Sequence, residues 1–352
     1  MGTQGYPEQS TEITADWLTR VLRQSGHPEA EVRSLEVKPY RTKPYSTLHL
    51  LDVELSGASD LPSRFMLKLA RPDVTNATSR RRRRKEFAFY SALAPAMDQP
   101  IAPVVHGAGC ADDARTAFLL MADLSTTHER PPRGLPPTPD QAERAMRAFG
   151  SFHAAWWNHP DLQDMLDHRD DDYVRLRARD AAASAKDFLA RFGRYLDPSI
   201  VHAVTRFGDH AGLLMATAYA GPVAAIHGDA HPWNVLTPRA GDGPALLLDW
   251  EAWTVDSPAI DLASFIVLRF DTRLRRRLEP MLLDTWHDAV ATSGIRDYSR
   301  HDLLDDYRRA IVRRVSMPLA RAARDEEADG WFPILSRIAL AWEDLGCDDV
   351  LP

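Results

Sequence analysis

A chain of 352 residues exceeds the size at which one hydrophobic core usually keeps growing, so two lobes are expected. With 44% hydrophobic and 26% charged residues it is excluded from the disordered and fibrous classes. A formal net charge of -7 opposes nucleic-acid binding, which needs a basic face to displace counterions, and Cys110 with Cys347 are too few for a disulfide framework or a cysteine zinc site.

The opening segment lacks the basic and apolar blocks of a signal peptide, and no run reaches the roughly 18 apolar residues of a membrane span. The expectation is a cytoplasmic chain with no membrane or nucleic-acid partner. The first predicted helix is capped by Thr14, carries the apolar stripe Trp17, Leu18, Val21 and Leu22, and stops at Gly26; it reads as an N-terminal embellishment. Strand-like runs follow at 48–55 and 64–70, joined by a turn-forming segment, then a helix over 79–93 and a strand containing Phe118 to Met121. Two strands, a helix and a strand make a small α+β unit. Prolines crowd 131–139, and the lobe boundary is placed near Asp123, giving expected domains 1–123 and 124–352. Thr138, Pro139 and Gln141 then open a helix whose stripe includes Met146, Phe149, Phe152 and Trp156, the expected core of a mainly helical second lobe.

The turn-rich exception in that lobe is 221–258. Residues 223–236 read VAAIHGDAHPWNVL, a polar cluster between two apolar runs, which places the cluster in a loop between short strands. Asp229 and Asn234 are separated by four residues, the spacing of the H-R-D-x-x-x-x-N loop of protein kinases with glycine in place of arginine. Fifteen residues after Asn234 the run 245–248 delivers Asp249. Phosphoryl transfer uses such groups: a carboxylate to orient and deprotonate an acceptor hydroxyl, and hard oxygen ligands for magnesium on the nucleotide phosphates.

HGDAHPWN, followed by LLLDWE and by IDLA at 260–263, resembles the aminoglycoside phosphotransferase and choline kinase-like superfamily, including its ecdysteroid-kinase-like branch, over nearly the whole chain. The resemblance implies an α+β, protein-kinase-like two-lobe fold with a small antiparallel-sheet N-lobe and a mainly helical C-lobe. It further implies an O-phosphotransferase that moves the γ-phosphate of ATP or GTP to a hydroxylated acceptor such as an antibiotic, a sugar or an amino alcohol. Antibiotic resistance is within that scope. Asp229 would be the catalytic base, Asn234 and Asp249 would hold magnesium, and His227 and Asp261 would support the catalytic loop, with His231 only near it.

The N-lobe offers a separate check, because a kinase fold needs a strand lysine on the nucleotide phosphates and a helical glutamate to orient it. FMLKLA provides Lys68 and KEFAFYSAL provides Glu86. Of 43 basic residues only five are lysines, so a lysine at an interior strand position is informative. Met121 and Asp123 match the interlobe linker whose backbone contacts the nucleotide base in the family. The first hairpin departs from the pattern: KPYRTKPYSTLHL has no glycine where kinases carry a glycine-rich phosphate loop, and Ser46 and Thr47 are the groups left to contact phosphates.

Two other readings stay open: a kinase-fold module that binds nucleotide without catalysis, and a hydrolytic zinc site built from His227, Asp229 and His231. His153 reads as a satisfied core histidine and the run Arg80 to Lys85 as a solvated helix surface. Trp253 is close enough to Asp249 to line an acceptor site. The acidic clusters at 164–172 and 325–329 read as exposed loops before they read as a cation-attracting surface.

Overall fold

The computed structural model describes residues 6–57, 60–162, 171–218 and 221–351. Packing divides the chain into two units, Met1–Glu129 with Leu236–Trp253, and Arg130–Val235 with Thr254–Pro352. The expected cut at residue 123 assigns the segment bearing Asp249 to the helical lobe, whereas its packing is with the first unit.

Helix α1 (Ala15–Gln24) begins where the Thr14 hydroxyl accepts the Trp17 N–H, as its sequence predicts. It is no embellishment. Trp17, Leu18, Val21 and Leu22 are buried with Leu51, Phe65, Leu67, Phe118 and Leu120 in one core cluster, so α1 covers a face of the sheet. That sheet contains β1 (Glu31–Thr42), β2 (Ser46–Ser56), β3 (Arg64–Ala70), β4 (Val105–Cys110) and β5 (Ala117–Ala122), in the order β1-β2-β3-β5-β4 with antiparallel neighbours throughout. The edges β1 and β4 add to the expected strands. β1 is mostly exposed and breaks register beside Pro39, which an edge tolerates. β4 reads VHGAGC and hides its strand character behind glycines that packing requires: a Cβ on Gly107 would lie 2.3 Å from Val21 Cγ1 of α1.

Helix α2 (Ala77–Ala88) is capped by Asn76, whose side chain accepts the Ser79 N–H, and runs on through a wider π-type turn at Phe89–Leu93. The short strands β6 (His128–Glu129), β8 (Val235–Pro238) and β9 (Leu246–Leu247) form a second sheet in the order β6-β8-β9. Pairing of His128 with Pro238 and of Glu129 with Thr237, plus the Leu247 N–H on the Ile101 carbonyl at 2.8 Å, ties 236–253 to the first unit.

In the second unit, α3 (Pro139–Ala155) opens with the predicted capping box between Thr138 and Gln141, and Met146, Phe149 and Phe152 are buried. It packs on the helix Thr272–Thr292, and Gly150 permits the approach: a Cβ there would stand 2.7 Å from Ala289 Cβ and 2.9 Å from the Trp286 carbonyl. β7 (Ala224–Ile226) pairs antiparallel with β10 (Thr254–Asp256), and every residue of the following helix Ala259–Ile266 is buried. The result is α+β, an antiparallel-sheet unit and a mainly helical one. Among the described residues no helix is long and apolar enough to cross a membrane.

Candidate functional site

The first unit concentrates charge around Lys68. Strand β3 carries Lys68 on its buried face, and Nζ donates to Glu86 Oε1 of α2 at 2.7 Å and to Asp249 Oδ1 at 2.8 Å. Asp249 follows β9 in the left-handed region at φ 69°, a conformation that asparagine and aspartate tolerate better than most side chains. The turn after it is fixed by Trp250, which stacks on Phe89 with ring centroids 3.7 Å apart and donates Nε1–H to the Leu247 carbonyl at 3.0 Å.

Two further charges, absent from the sequence reading, complete the cluster. Lys43 Nζ meets Asp249 Oδ2 at 2.5 Å, and Glu251 lies 3.9 Å from Lys68 Nζ while accepting a 2.7 Å bond from Arg82 Nη1. Burial alone would lower the Lys68 pKa; the carboxylates of Asp249, Glu86 and Glu251 outweigh it and hold the ammonium well above its ordinary value. Burial would likewise raise Asp249, but Lys68 and Lys43 hold it well below the usual carboxylate range. For Glu86 burial wins over the attraction of Lys68, and its pKa is raised.

Ser46 lies in the same cavity as Lys68 and Glu86, and its buried hydroxyl has no hydrogen-bond partner among the described residues. Thr47 is elsewhere engaged, its Oγ1 3.1 Å from His49 Nε2. Met121 pairs with both Met66 and Val105, so its backbone belongs to the interior of the sheet. Asp123 donates its amide to the Arg64 carbonyl at 3.4 Å and caps the next turn by accepting from the Ser125 N–H and hydroxyl at 3.0 and 2.9 Å.

The arginine run is a solvated surface only in part: Arg81 and Arg84 are exposed, and Arg83 is not. Arg83 is buried and its two terminal nitrogens donate to the carbonyls of Arg71, Val74, Ala114 and Arg115 at 2.7–3.1 Å. Arg80 donates to the Thr75 carbonyl, Arg84 to that of Asp112, and Lys85 to that of Trp253. A basic start to α2 is tolerable because these side chains satisfy oxygens outside the helix. Trp253 is 5% exposed and returns a bond from Nε1 to the Lys85 carbonyl at 2.6 Å, which makes it a wall of this unit.

In the second unit, β7 leads into the loop of Asp229. His227 and Gly228 turn on a single anchor: their N–H groups donate to Asp261 Oδ2 and Oδ1 at 2.6 and 3.0 Å. Gly228 adopts φ +78°, which its lack of a side chain permits. The Asp229 N–H faces His227 Nδ1 at 3.3 Å, and Asn234 Nδ2 donates to the Asp229 carbonyl at 3.2 Å, which turns Asn234 Oδ1 away from that carbonyl. The Asp229 carboxylate itself is half-exposed, at 51% of its side-chain surface. His231 lies 3.7 Å from it, beyond hydrogen-bond reach, and its buried Nδ1 has no partner among the described residues. Burial pushes the His231 imidazole down to about 4 despite Asp229.

His153 is a core histidine that also braces the loop. Trp286 Nε1–H donates to its Nδ1 at 3.0 Å, which leaves the ring proton on Nε2, 3.2 Å from Asp261 Oδ2. Asp261 is completely buried, and burial would raise its pKa, but the His153 hydrogen bond and the charges and backbone around His227 hold it below the ordinary range. A carboxyl depressed on folding stabilises above its unfolded pKa of about 3.9, and that stabilisation is lost as pH falls through the folded value. Asp261→Asn is therefore expected to cost about 3–5 kcal/mol in urea unfolding at neutral pH, with the deficit shrinking below about pH 4. A pH-independent deficit would show that the charge is not what Asp261 contributes.

Among the described residues no three His, Cys, Asp or Glu side chains are grouped so as to hold a metal, which leaves the zinc reading of His227, Asp229 and His231 without a ligand set. Magnesium makes a smaller demand, one or two protein oxygens with the rest from phosphates and water. The Asp249 carboxylate, already bridging two cations, and the oriented Asn234 amide oxygen are of the right type. The acidic cluster at 164–172 lies largely outside the described residues, and Asp325 and Glu326 are paired with Arg191 and Arg324.

A comparison with curated proteins gives no match. Among solved structures, the fold is similar to a candidate aminoglycoside phosphotransferase of Ralstonia eutropha (TM-score 0.55, 13% identity, covering 95% of this chain and 98% of that one). It is also similar to aminoglycoside 2'-phosphotransferase-IIIa in its GDP complex (TM-score 0.51, 13% identity, covering 95% and 99%). The sequence profile of the phosphotransferase enzyme family matches residues 53–304, and with a match spanning most of its length the chain belongs to that family.

Proposed function

We propose that this phosphotransferase moves the γ-phosphoryl group of ATP or GTP to a hydroxyl of a small molecule of the antibiotic, sugar or amino-alcohol type. The observation that carries the reading is the buried Lys68, bonded at once to Glu86 and Asp249 in a chain of this family. Lys68, oriented by Glu86, clamps the nucleotide phosphates as a point charge, and Ser46 adds a hydroxyl from the same cavity. Thr47 has its hydroxyl on His49 and its backbone in register with Thr42 of β1 and Leu69 of β3, so no phosphate contact is assigned to it. The strand end at Asp123 would read the base through its main-chain oxygen, because the Met121 backbone lies inside the sheet and the amides of Ala122 and Asp123 are already donated to the Val104 and Arg64 carbonyls. The GDP complex of the structural relative supports a nucleotide as the donor.

Asn234 and Asp249 would hold magnesium, which when bound neutralises charge on the transferring phosphate. Asp229 aligns the acceptor hydroxyl and accepts its proton, while Asp261 and His227 keep the loop in shape. Because the transition state is loose, alignment and electrostatics supply most of the rate.

Incubating the protein with magnesium, ATP or GTP and a panel of aminoglycosides, sugars and amino alcohols is expected to release ADP or GDP only when the right acceptor is present. Phosphorus NMR then identifies the phosphoester. Nucleotide binding by calorimetry with no transfer to any acceptor in a broad panel would favour the non-catalytic module.

A further inference from the structure

The tip of the β1–β2 hairpin is the turn Lys43, Pro44, Tyr45, Ser46, and its chemistry differs from that of a glycine-rich loop. Such loops cradle phosphates with free main-chain N–H groups. Here the Lys43 N–H is spent on the Ser46 carbonyl at 2.8 Å, and Pro44 has no N–H at all. The tip is pinned: Arg71 N–H donates to the Tyr45 carbonyl at 3.0 Å, Arg71 Nη1 reaches the Lys43 carbonyl at 3.4 Å, and the Arg82 guanidinium sits 5.0 Å from the Tyr45 ring centroid. From this anchored backbone the Lys43 side chain extends to Asp249, and among the described residues that is its ion pair.

Asp249 thus carries two ammonium groups, Lys68 on Oδ1 and Lys43 on Oδ2. The two lysines are not equivalent. Lys68 is buried, with 8% of its side chain exposed, and shared with Glu86 and Glu251; Lys43 is 25% exposed on a flexible four-carbon stem, and among the described residues no second carboxylate holds it. A divalent cation taking Asp249 as ligand competes with Lys43 for the same oxygen, and the triphosphate arriving with it offers the displaced ammonium a stronger anion.

We propose that Lys43 is a further phosphate-binding residue, resting on the phosphotransferase reading above. In the nucleotide-free protein its ammonium neutralises Asp249; on nucleotide binding it passes to the phosphate oxygens and supplies positive charge from a side chain, at a tip where the Lys43 N–H is spent and Pro44 has none.

The test uses the full chain, Lys43→Met and Lys43→Arg, with three binding measurements: manganese alone by electron paramagnetic resonance, and Mg-ATP or Mg-GTP and the matching nucleoside by calorimetry. For Lys43→Met, manganese alone is expected to bind several-fold more tightly, because its competitor is gone. The triphosphate is expected to bind about ten- to a hundredfold more weakly, the worth of one charge-assisted hydrogen bond. Nucleoside affinity should be unchanged, and Lys43→Arg should recover much of the triphosphate affinity. A Lys43→Met protein that binds triphosphate as the wild type does would overturn the assignment and reduce the contact with Asp249 to a structural ion pair. So would equal losses for nucleoside and triphosphate, which signal a disturbed hairpin. Wild-type protein that binds neither Mg-ATP nor Mg-GTP would overturn the phosphotransferase reading itself, and the Lys43 proposal with it.

Discussion

Lys68→Met is expected to lose stability and phosphoryl transfer together. The substitution leaves the buried Glu86 carboxylate without the ammonium 2.7 Å away and removes one of the two cations on Asp249. Breaking a buried pair by deleting one partner costs about 3–5 kcal/mol, chiefly because the remaining charge stays desolvated. Without Lys68 the already raised Glu86 carboxyl moves further up and takes a proton more readily, so the deficit in urea unfolding should be smaller at pH 5 than at pH 8. In the proposed mechanism the same change removes a phosphate contact, and kcat/KM should fall on the order of 10²–10³-fold. Wild-type kinetics in a folded Lys68→Met protein would exclude it from the site.

Asp229→Asn should separate chemistry from folding instead. The Asp229 side chain is half-exposed, and the bonds that hold its position run through its backbone, from its N–H to His227 and from Asn234 to its carbonyl. An isosteric amide leaves those bonds intact, so the melting temperature and nucleotide affinity should barely change. Removing a positioned base typically costs 10²–10⁴-fold, and kcat on the identified acceptor should fall within about that range. Coupled ADP or GDP release gives the number. A rise in KM with kcat preserved would mean that Asp229 binds the acceptor without taking its proton, and the base would have to be sought elsewhere.

The residues of the two local motifs were legible because their chemistry is written in a short stretch of chain. HGDAHPWN needs only a strand, a turn and a strand to place Asp229 and Asn234, and the Asp261 anchor belongs to a motif of its own at 260–263. The Thr14 cap and the Thr138 capping box were readable for the same reason, as each is complete within four residues. β4 was not. Gly107 makes sense only against Val21 of a helix some eighty residues earlier and Gly109 against Tyr6 and Phe118, and α1 reads as an embellishment because nothing local shows that its stripe meets the sheet. The arginine run misled in the opposite direction: a row of like charges normally faces water, and only the carbonyls folded around Arg83 turn one of them into a buried clasp.

Lysine scarcity singles out Lys68 and applies equally to Lys43, which stands in the hairpin without glycine. Sequence by itself determined the family, the α+β class and the chemical identity of the groups on the two loops, because those depend on residue type and short spacing. Tertiary structure decided the partners: that Asp249 packs with the sheet unit and is shared by two lysines, that Glu251 and Arg82 join them, and that His153 braces Asp261. Those facts rest on contacts between residues up to 206 positions apart, where the short-range periodicity of a sequence carries no information and packing alone chooses which charges meet.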